Sequence, residues 1–174
     1  MTEADDEGDR VDGEPGVDLT PAETAERALE VLVRTPGDVA ALLGRADPGR
    51  VIAPVATGKW SPLEILCHLA QTEWVLGYRT RIALCEDHPT LHPFDPDRWV
   101  ARGVTAADEA EHLSDFAALR RANIRLWRSL TAEELARTAY HAGLERDVTL
   151  GEMLSALADH DVNHLDQMRR GLSS

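Results

Sequence analysis

The chain has 174 residues, the length of one ordinary domain, which buries enough apolar surface to stand without disulfide or metal staples. Hydrophobic residues make up 43% and charged residues 28%, a globular balance that excludes fibrous and membrane-embedded classes. Lys and Arg number 18 against 31 for Asp and Glu, which argues against nucleic acid or an anionic membrane as partner, since both need a positive surface.

Residues 1–18 hold eight acids against the single base Arg10. Such a segment cannot bury enough surface to offset its ordering entropy. A disordered acidic tail is therefore expected over 1–18, with the folded domain over 19–174. The start lacks the basic and apolar regions of a secretory signal. No apolar run approaches the roughly 20 residues needed to cross a bilayer, so a cytoplasmic protein is expected. Cys67 and Cys85 are too few for a disulfide framework or a Cys-rich zinc module.

Helix starts follow in chain order. A Ser or Thr precedes an acid by three residues at Thr20/Glu23, Ser61/Glu64, Thr105/Asp108, Thr131/Glu134 and Thr149/Glu152, the capping-box spacing. Pro21 and Pro62 add a proline at the first helical position, where its missing N–H costs nothing. The stretches that follow are rich in Ala, Leu, Glu and Arg, all good helix formers. Main helices are predicted over 21–34, 61–86, 106–129 and 149–171, with shorter pieces over 37–44 and 132–138. Only residues 51–56 alternate with period two. The fold class is all-α, a four-helix bundle. The segment from His88 to Val104, with Pro89, Pro93 and Pro96, is long enough to run the height of the bundle. It predicts one crossover and a parallel second and third helix.

The last helix carries the chemistry. Leu150, Met153, Leu157, His160, His164 and Met168 recur at steps of three and four, a bundle seam. His160 and His164 stand one turn apart on one face, a spacing from which two imidazoles reach one metal. His88 and His92 share that spacing, but each precedes a proline and lacks helical register, so an ordinary loop is expected there. His112 reads as a helix-surface residue and His141 as a loop residue. In the second main helix, His68 lies on a polar strip with Ser61, Glu64, Gln71, Thr72, Val75 and Arg79. A third nitrogen from His68 would complete a site with positions left open, the mark of a catalytic metal. The competing reading is three core histidines satisfied by ordinary hydrogen bonds.

The motif WSPLEILCHL over residues 60–69, followed by Glu73, resembles the second-helix motif of the DinB-like superfamily. HDVNHLDQ over 160–167 is similar to that family's final-helix motif. PFDPDRW over 93–99, then Phe116, Arg120 and Asn123, then His141 and Gly143 before Thr149, agree as well. The resemblance spans Thr20 to Gly171. It implies an up-down-down-up bundle and a divalent metal, nickel, zinc or iron, on His68, His160 and His164. It also implies relatives that are dimers, and activities that include bacillithiol- or mycothiol-dependent S-transfer and a mycothiol-dependent maleylpyruvate isomerisation.

The leading expectation is thus a metal-dependent transferase in which a low-molecular-weight thiol attacks a small electrophile, with the chain as a homodimer. A metal-assisted hydrolase and a non-enzymatic ligand- or metal-binding stress protein are the alternatives. Gln167 is a candidate for holding substrate or water, and Glu64 for accepting a proton, unless it closes the capping box with Ser61. Arg120 and Asn123 fall on the inner stripe of the third helix. Arg120 either reads an anionic substrate or forms a structural clamp with Asp95 or Asp97 of the crossover. Cys67 is expected as a small core residue and Cys85 as inert.

Overall fold

The computed structural model describes residues 20–105 and 107–173; the expected disordered tail over 1–18 lies outside them. In chain order the elements are α1 (Pro21–Leu43), α2 (Pro48–Ile52), α3 (Pro62–Cys85), β1 (Thr90–Leu91), α4 (Pro96–Gly103), α5 (Glu109–Trp127), α6 (Ala132–Leu135), β2 (Thr138–His141), β3 (Arg146–Thr149) and α7 (Leu150–Ser173). Capping boxes close at Thr20/Glu23, Ser61/Glu64 and Thr131/Glu134, and Thr149 and Glu152 exchange the same pair of bonds before α7. At the third main helix the sequence expectation is corrected. Asp108, not Thr105, is the cap, with Glu111 completing the box, because Asp-x-x-Glu offers two carboxylates to the orphan N–H groups.

Two clusters of buried side chains give the helix directions. One joins Val39 and Leu43 at the end of α1, Ile65 and Leu69 at the start of α3, Phe116 in the first half of α5, and Leu165 and Met168 late in α7. The other joins Ala25 and Leu32 early in α1, Ile124 and Trp127 at the end of α5, and Leu154 and Leu157 early in α7. Helices α1 and α7 therefore run one way and α3 and α5 the other, an up-down-down-up bundle. The segment from α3 to α5 climbs its full height and carries β1 and α4.

The main departure from a purely helical reading is a three-stranded sheet of order β1-β2-β3. The pair β2–β3 is an antiparallel hairpin, and β1 adds in parallel with Thr90 opposite Tyr140. Its strands are too short to show a period of two. Leu91, Ala139 and Val148 bury against Ala83, Leu150 and Met153, closing the end of the bundle where α7 begins. The alternating run at 51–56 is no strand; Asp47 accepts a hydrogen bond from the N–H of Gly49 at 2.8 Å, and that cap with Pro48 starts α2.

Helix α1 also differs from the expected two pieces, since it continues through Pro36. A proline inside a helix strands the carbonyl four residues earlier. Here that carbonyl belongs to Leu32, and Arg120 Nη1 donates to it at 2.9 Å. The same guanidinium donates from Nε to Glu73 Oε1 at 2.8 Å and from Nη1 to Asp161 Oδ2 at 2.6 Å. Asn123 Nδ2 donates to the other oxygen of Glu73 at 2.9 Å. Arg120 is a clamp, but its acids come from α3 and α7. Asp95 and Asp97 are exposed, and Asp95 instead caps α4 by accepting from the N–H of Arg98.

Removing the cation leaves two buried carboxylates facing each other, which costs about 3–5 kcal/mol. Arg120→Met is expected to lose that much stability in urea unfolding. Arg120→Lys is expected to recover only part of it, because an ammonium cannot fork to two acids and a carbonyl. A loss below about 1 kcal/mol for Arg120→Met would mean that the clamp is not what aligns the helices.

Candidate metal centre

The antiparallel packing of α3 on α7 sets the start of one beside the second half of the other. His68 on α3 thereby meets His160 and His164 on α7. One nitrogen from each of the three lies within 4.8 Å of the others, and His68 Nε2 is 2.8 Å from His160 Nε2. Two nitrogens bound to one ion at 2.0–2.1 Å sit about 3 Å apart, so the spacing fits. His68 is 6% and His164 8% exposed, whereas the His160 side chain is 28% exposed and opens the cluster to one side.

Protonation supports the same reading. Burial first, then the imidazole of His160, pushes His68 from its ordinary 6.5 down to about 3. The same two causes push His164 down to about 4. Both rings are neutral at neutral pH, the form that binds a metal. His164 Nδ1 and Gln167 Oε1 are 3.2 Å apart. A carbonyl oxygen only accepts, so Nδ1 carries the proton and Nε2 is left with the lone pair.

Behind the cluster, Asp161 Oδ1 is buried without a hydrogen-bond partner and lies 3.6 Å from His160 Nδ1. Burial opposes ionisation of Asp161, but His160, Arg120 and Thr35 together hold its carboxyl below its usual range. Glu73, Asp161 and Arg120 then leave one negative charge uncompensated in the core. A cation held by His160 would offset it, the carboxylate–histidine–metal arrangement found behind many metal ligands. The donor set, the close spacing of the three ring nitrogens and the orphaned carboxylate oxygen all fit a divalent metal. The aromatic wall consists of Trp60, its ring 4.7 Å from that of His68, and Phe94 at 6.5 Å.

The other sequence candidates separate. Gln167 contacts His164 and so orients a ring. Glu64 is engaged with the N–H of Ser61 at 2.7 Å, in the helix cap. Arg120 and Asn123 belong to the buried clamp. Cys67 is buried and Cys85 exposed. His112 is a correction: it is 6% exposed, not on the surface, with its Nε2 3.3 Å from the carbonyl of Val104. His141 lies in β2, not in a loop. His88 and His92 stay apart from the cluster, flanking the short β1. The sequence reading did not assign Asp161 or Glu73 to the site, although each lies within five residues of a candidate histidine.

Beside His68 and His160 opens a cavity of about 420 Å³, walled by Leu76, Phe94, Met153 and Leu157, with Arg79, His141 and Arg146 toward its far end. Its size suits a small molecule.

A four-helix bundle with an open three-histidine cluster in its core defines the class. The chain belongs to the DinB superfamily, whose family model matches residues 13–168. It is 24% identical over 143 residues, 82% of each chain, to a protein of Bacillus pumilus provisionally named a metal-dependent hydrolase. It is 23% identical over 144 residues, 82% of this chain and 81% of the relative, to YfiT of Bacillus subtilis, which bears the same provisional name. The solved structure of YfiT, described as a probable metal-dependent hydrolase with an unusual four-helix bundle topology, superposes with a TM-score of 0.82 at 21% identity over 91% of both chains. A mycothiol-dependent maleylpyruvate isomerase shares the fold at a TM-score of 0.66 and 17% identity, over 86% of this chain and 63% of that one. Among the described residues no helix is long and apolar enough to cross a membrane.

The lowered histidine pKa values predict a pH dependence. Unfolded histidines take up protons near 6.5, whereas folded His68 and His164 resist them down to about 3 and 4. Their contribution is therefore fully present above about pH 6.5 and is lost as the pH falls below it. The metal-free protein is expected to melt at clearly lower temperature at about pH 5 than at about pH 7.5. The double variant His68→Gln/His164→Gln is expected to flatten that slope; an unchanged slope would mean that these rings titrate normally.

Proposed function

We propose that this chain is a metal-dependent transferase that uses a low-molecular-weight thiol, bacillithiol or mycothiol, against a small electrophile. The observation that carries this reading is an open-sided histidine cluster facing a largely apolar cavity in which, among the described residues, the one lining carboxylate, Glu152, is already engaged, while Asp161 is buried behind His160 in the clamp. Glu64 is engaged in the cap. Glu152, at the cavity's far end, accepts from the N–H of Thr149 at 2.6 Å and from Arg146 at 3.1 Å. Water needs help to lose a proton, whereas a thiol is acidic enough to need little.

His68, His160 and His164 would hold nickel, zinc or iron, with Asp161 and Gln167 fixing the rings of the latter two. Bound there, a divalent ion keeps its full charge on neutral ligands and favours thiolate over thiol near neutral pH. Leu76, Phe94, Met153 and Leu157 give the cavity apolar walls, and the Thr72 hydroxyl, 3.5 Å from His68 Nε2, is a polar group in its lining. The thiol beside His68 in the chain does not compete: burial, then Glu64, pushes Cys67 up to about 11. The name of the neighbouring mycothiol-dependent isomerase supports thiol chemistry. The names of the sequence relatives favour hydrolysis as the second reading. The exposed rings of Trp74, Tyr78 and Trp99 support a homodimer.

Wild type purified without a histidine tag is expected to carry about one metal per chain by elemental mass spectrometry, and His160→Ala none. Gln167→Ala should weaken metal affinity about tenfold. The loaded wild type should consume bacillithiol or mycothiol with a model electrophile such as monochlorobimane. Ester hydrolysis without thiol consumption would replace the transferase by the hydrolase. A wild type that takes up none of the three metals would sink both.

A further inference from the structure

The cavity has a second polar feature that the histidine cluster does not use. Arg79 lies on the same face of α3 as His68, eleven residues on, which is about 16 Å along the helix axis. It is half-buried, and among the described residues no carboxylate pairs with it. Its one hydrogen bond runs from Nη2 to the carbonyl of His92 at 2.6 Å, leaving other guanidinium donors free. Burial lowers its pKa, as expected of a cation without a counter-ion. The other arginine of the cavity, Arg146, is exposed and already neutralised by Glu152.

His141 stands with them in the lining. Its Nδ1 accepts the N–H of Leu144 at 3.2 Å, so in the neutral ring the proton sits on Nε2. Burial, then the charge of Arg79, keeps that ring neutral by lowering its pKa. Arg79 and His141 thus offer N–H donors at the opposite end of a largely apolar cavity from the histidine cluster, where the lining carboxylate, Glu152, is already engaged by Arg146 and the N–H of Thr149.

We propose that Arg79, assisted by His141, is a carboxylate-binding subsite of this cavity, and that one of the two small molecules used here bears a carboxylate at the end remote from its reactive atom. The inference rests on the reading above, in which the reactive end lies at His68, His160 and His164. The carboxylate belongs either to the thiol or to the electrophile. An arginine fork reads a carboxylate through two parallel hydrogen bonds, which a neutral hydroxyl cannot reproduce.

The probes are ω-mercaptohexanoate, its uncharged analogue ω-mercaptohexanol, and hexanoate, titrated by calorimetry into zinc-loaded and metal-free protein. Wild type is expected to bind ω-mercaptohexanoate at least about tenfold more tightly than the alcohol. Arg79→Gln is expected to abolish that preference while leaving alcohol affinity unchanged. Arg79→Lys should keep part of it, and Arg146→Gln most of it. A mercapto-acid that outbinds both fragments places thiol and carboxylate on one molecule. Hexanoate and the alcohol binding together, with no gain from joining them, assigns the carboxylate to the electrophile. Metal-free protein should still bind hexanoate in an Arg79-dependent way, so failure of the metal reading leaves this test standing. Wild type that neither binds hexanoate nor prefers the mercapto-acid, or hexanoate binding and preference intact in both Arg79 variants, overturns the subsite.

Discussion

One guanidinium ties the bundle together. Arg120 on α5 reaches Glu73 on α3, Asp161 on α7 and the backbone carbonyl of Leu32 on α1, so a single side chain touches all of the other three long helices. It is 2% exposed, so these bonds form where water cannot replace them and where misalignment would strand charge. Apolar packing of Leu, Ala and Val tolerates small slides between helices. A fork that must meet two carboxylates and a carbonyl does not. The clamp therefore sets the axial register that the apolar clusters leave loose.

That register is what assembles the histidines. Asp161 follows His160 directly, so the bond that pins α7 to α5 also fixes the height at which His160 faces α3. Glu73 lies five residues after His68 and pins α3 to the same arginine. The histidine cluster and the clamp are two faces of one contact between helices, the first toward the cavity and the second toward the core. The surplus negative charge of the clamp is well placed for a cation on the other side of His160. The crossover completes the site by laying Phe94 beside His68, a contact that a simple up-down-up-down bundle with short turns would not supply.

The superfamily's fold carries more than one chemistry, as the names of YfiT and the maleylpyruvate isomerase show, and fold alone does not choose between them. The choice rests on what borders the open side of the cluster. In this chain the cavity beside it has apolar walls with Arg79, His141 and Arg146 at the far end, and its one lining acid among the described residues, Glu152, is tied up in a cap and an ion pair. On the function proposed above, a cavity of that kind would suit a nucleophile that ionises easily better than one that needs a base.

Much of this was legible in the residues. Caps at Thr20, Ser61, Thr131 and Thr149 marked helix starts because a capping box is closed within four residues. The seam from Leu150 to Met168 and the one-turn spacing of His160 and His164 follow from helical periodicity. The length of the proline-containing segment from His88 to Val104 pointed to the crossover that makes the second and third long helices parallel. Tertiary structure decided the rest. Pro36 does not break α1, because a donor 88 positions away takes the carbonyl it strands. The acids that hold Arg120 lie 47 and 41 positions from it, beyond the reach of any local pattern, and nearer acids in the crossover were the more obvious partners on paper. The short strands form because β1 and the β2–β3 hairpin meet at one end of the bundle, not because any of them alternates. Local spacing reports which face a side chain occupies; only packing decides what that face meets.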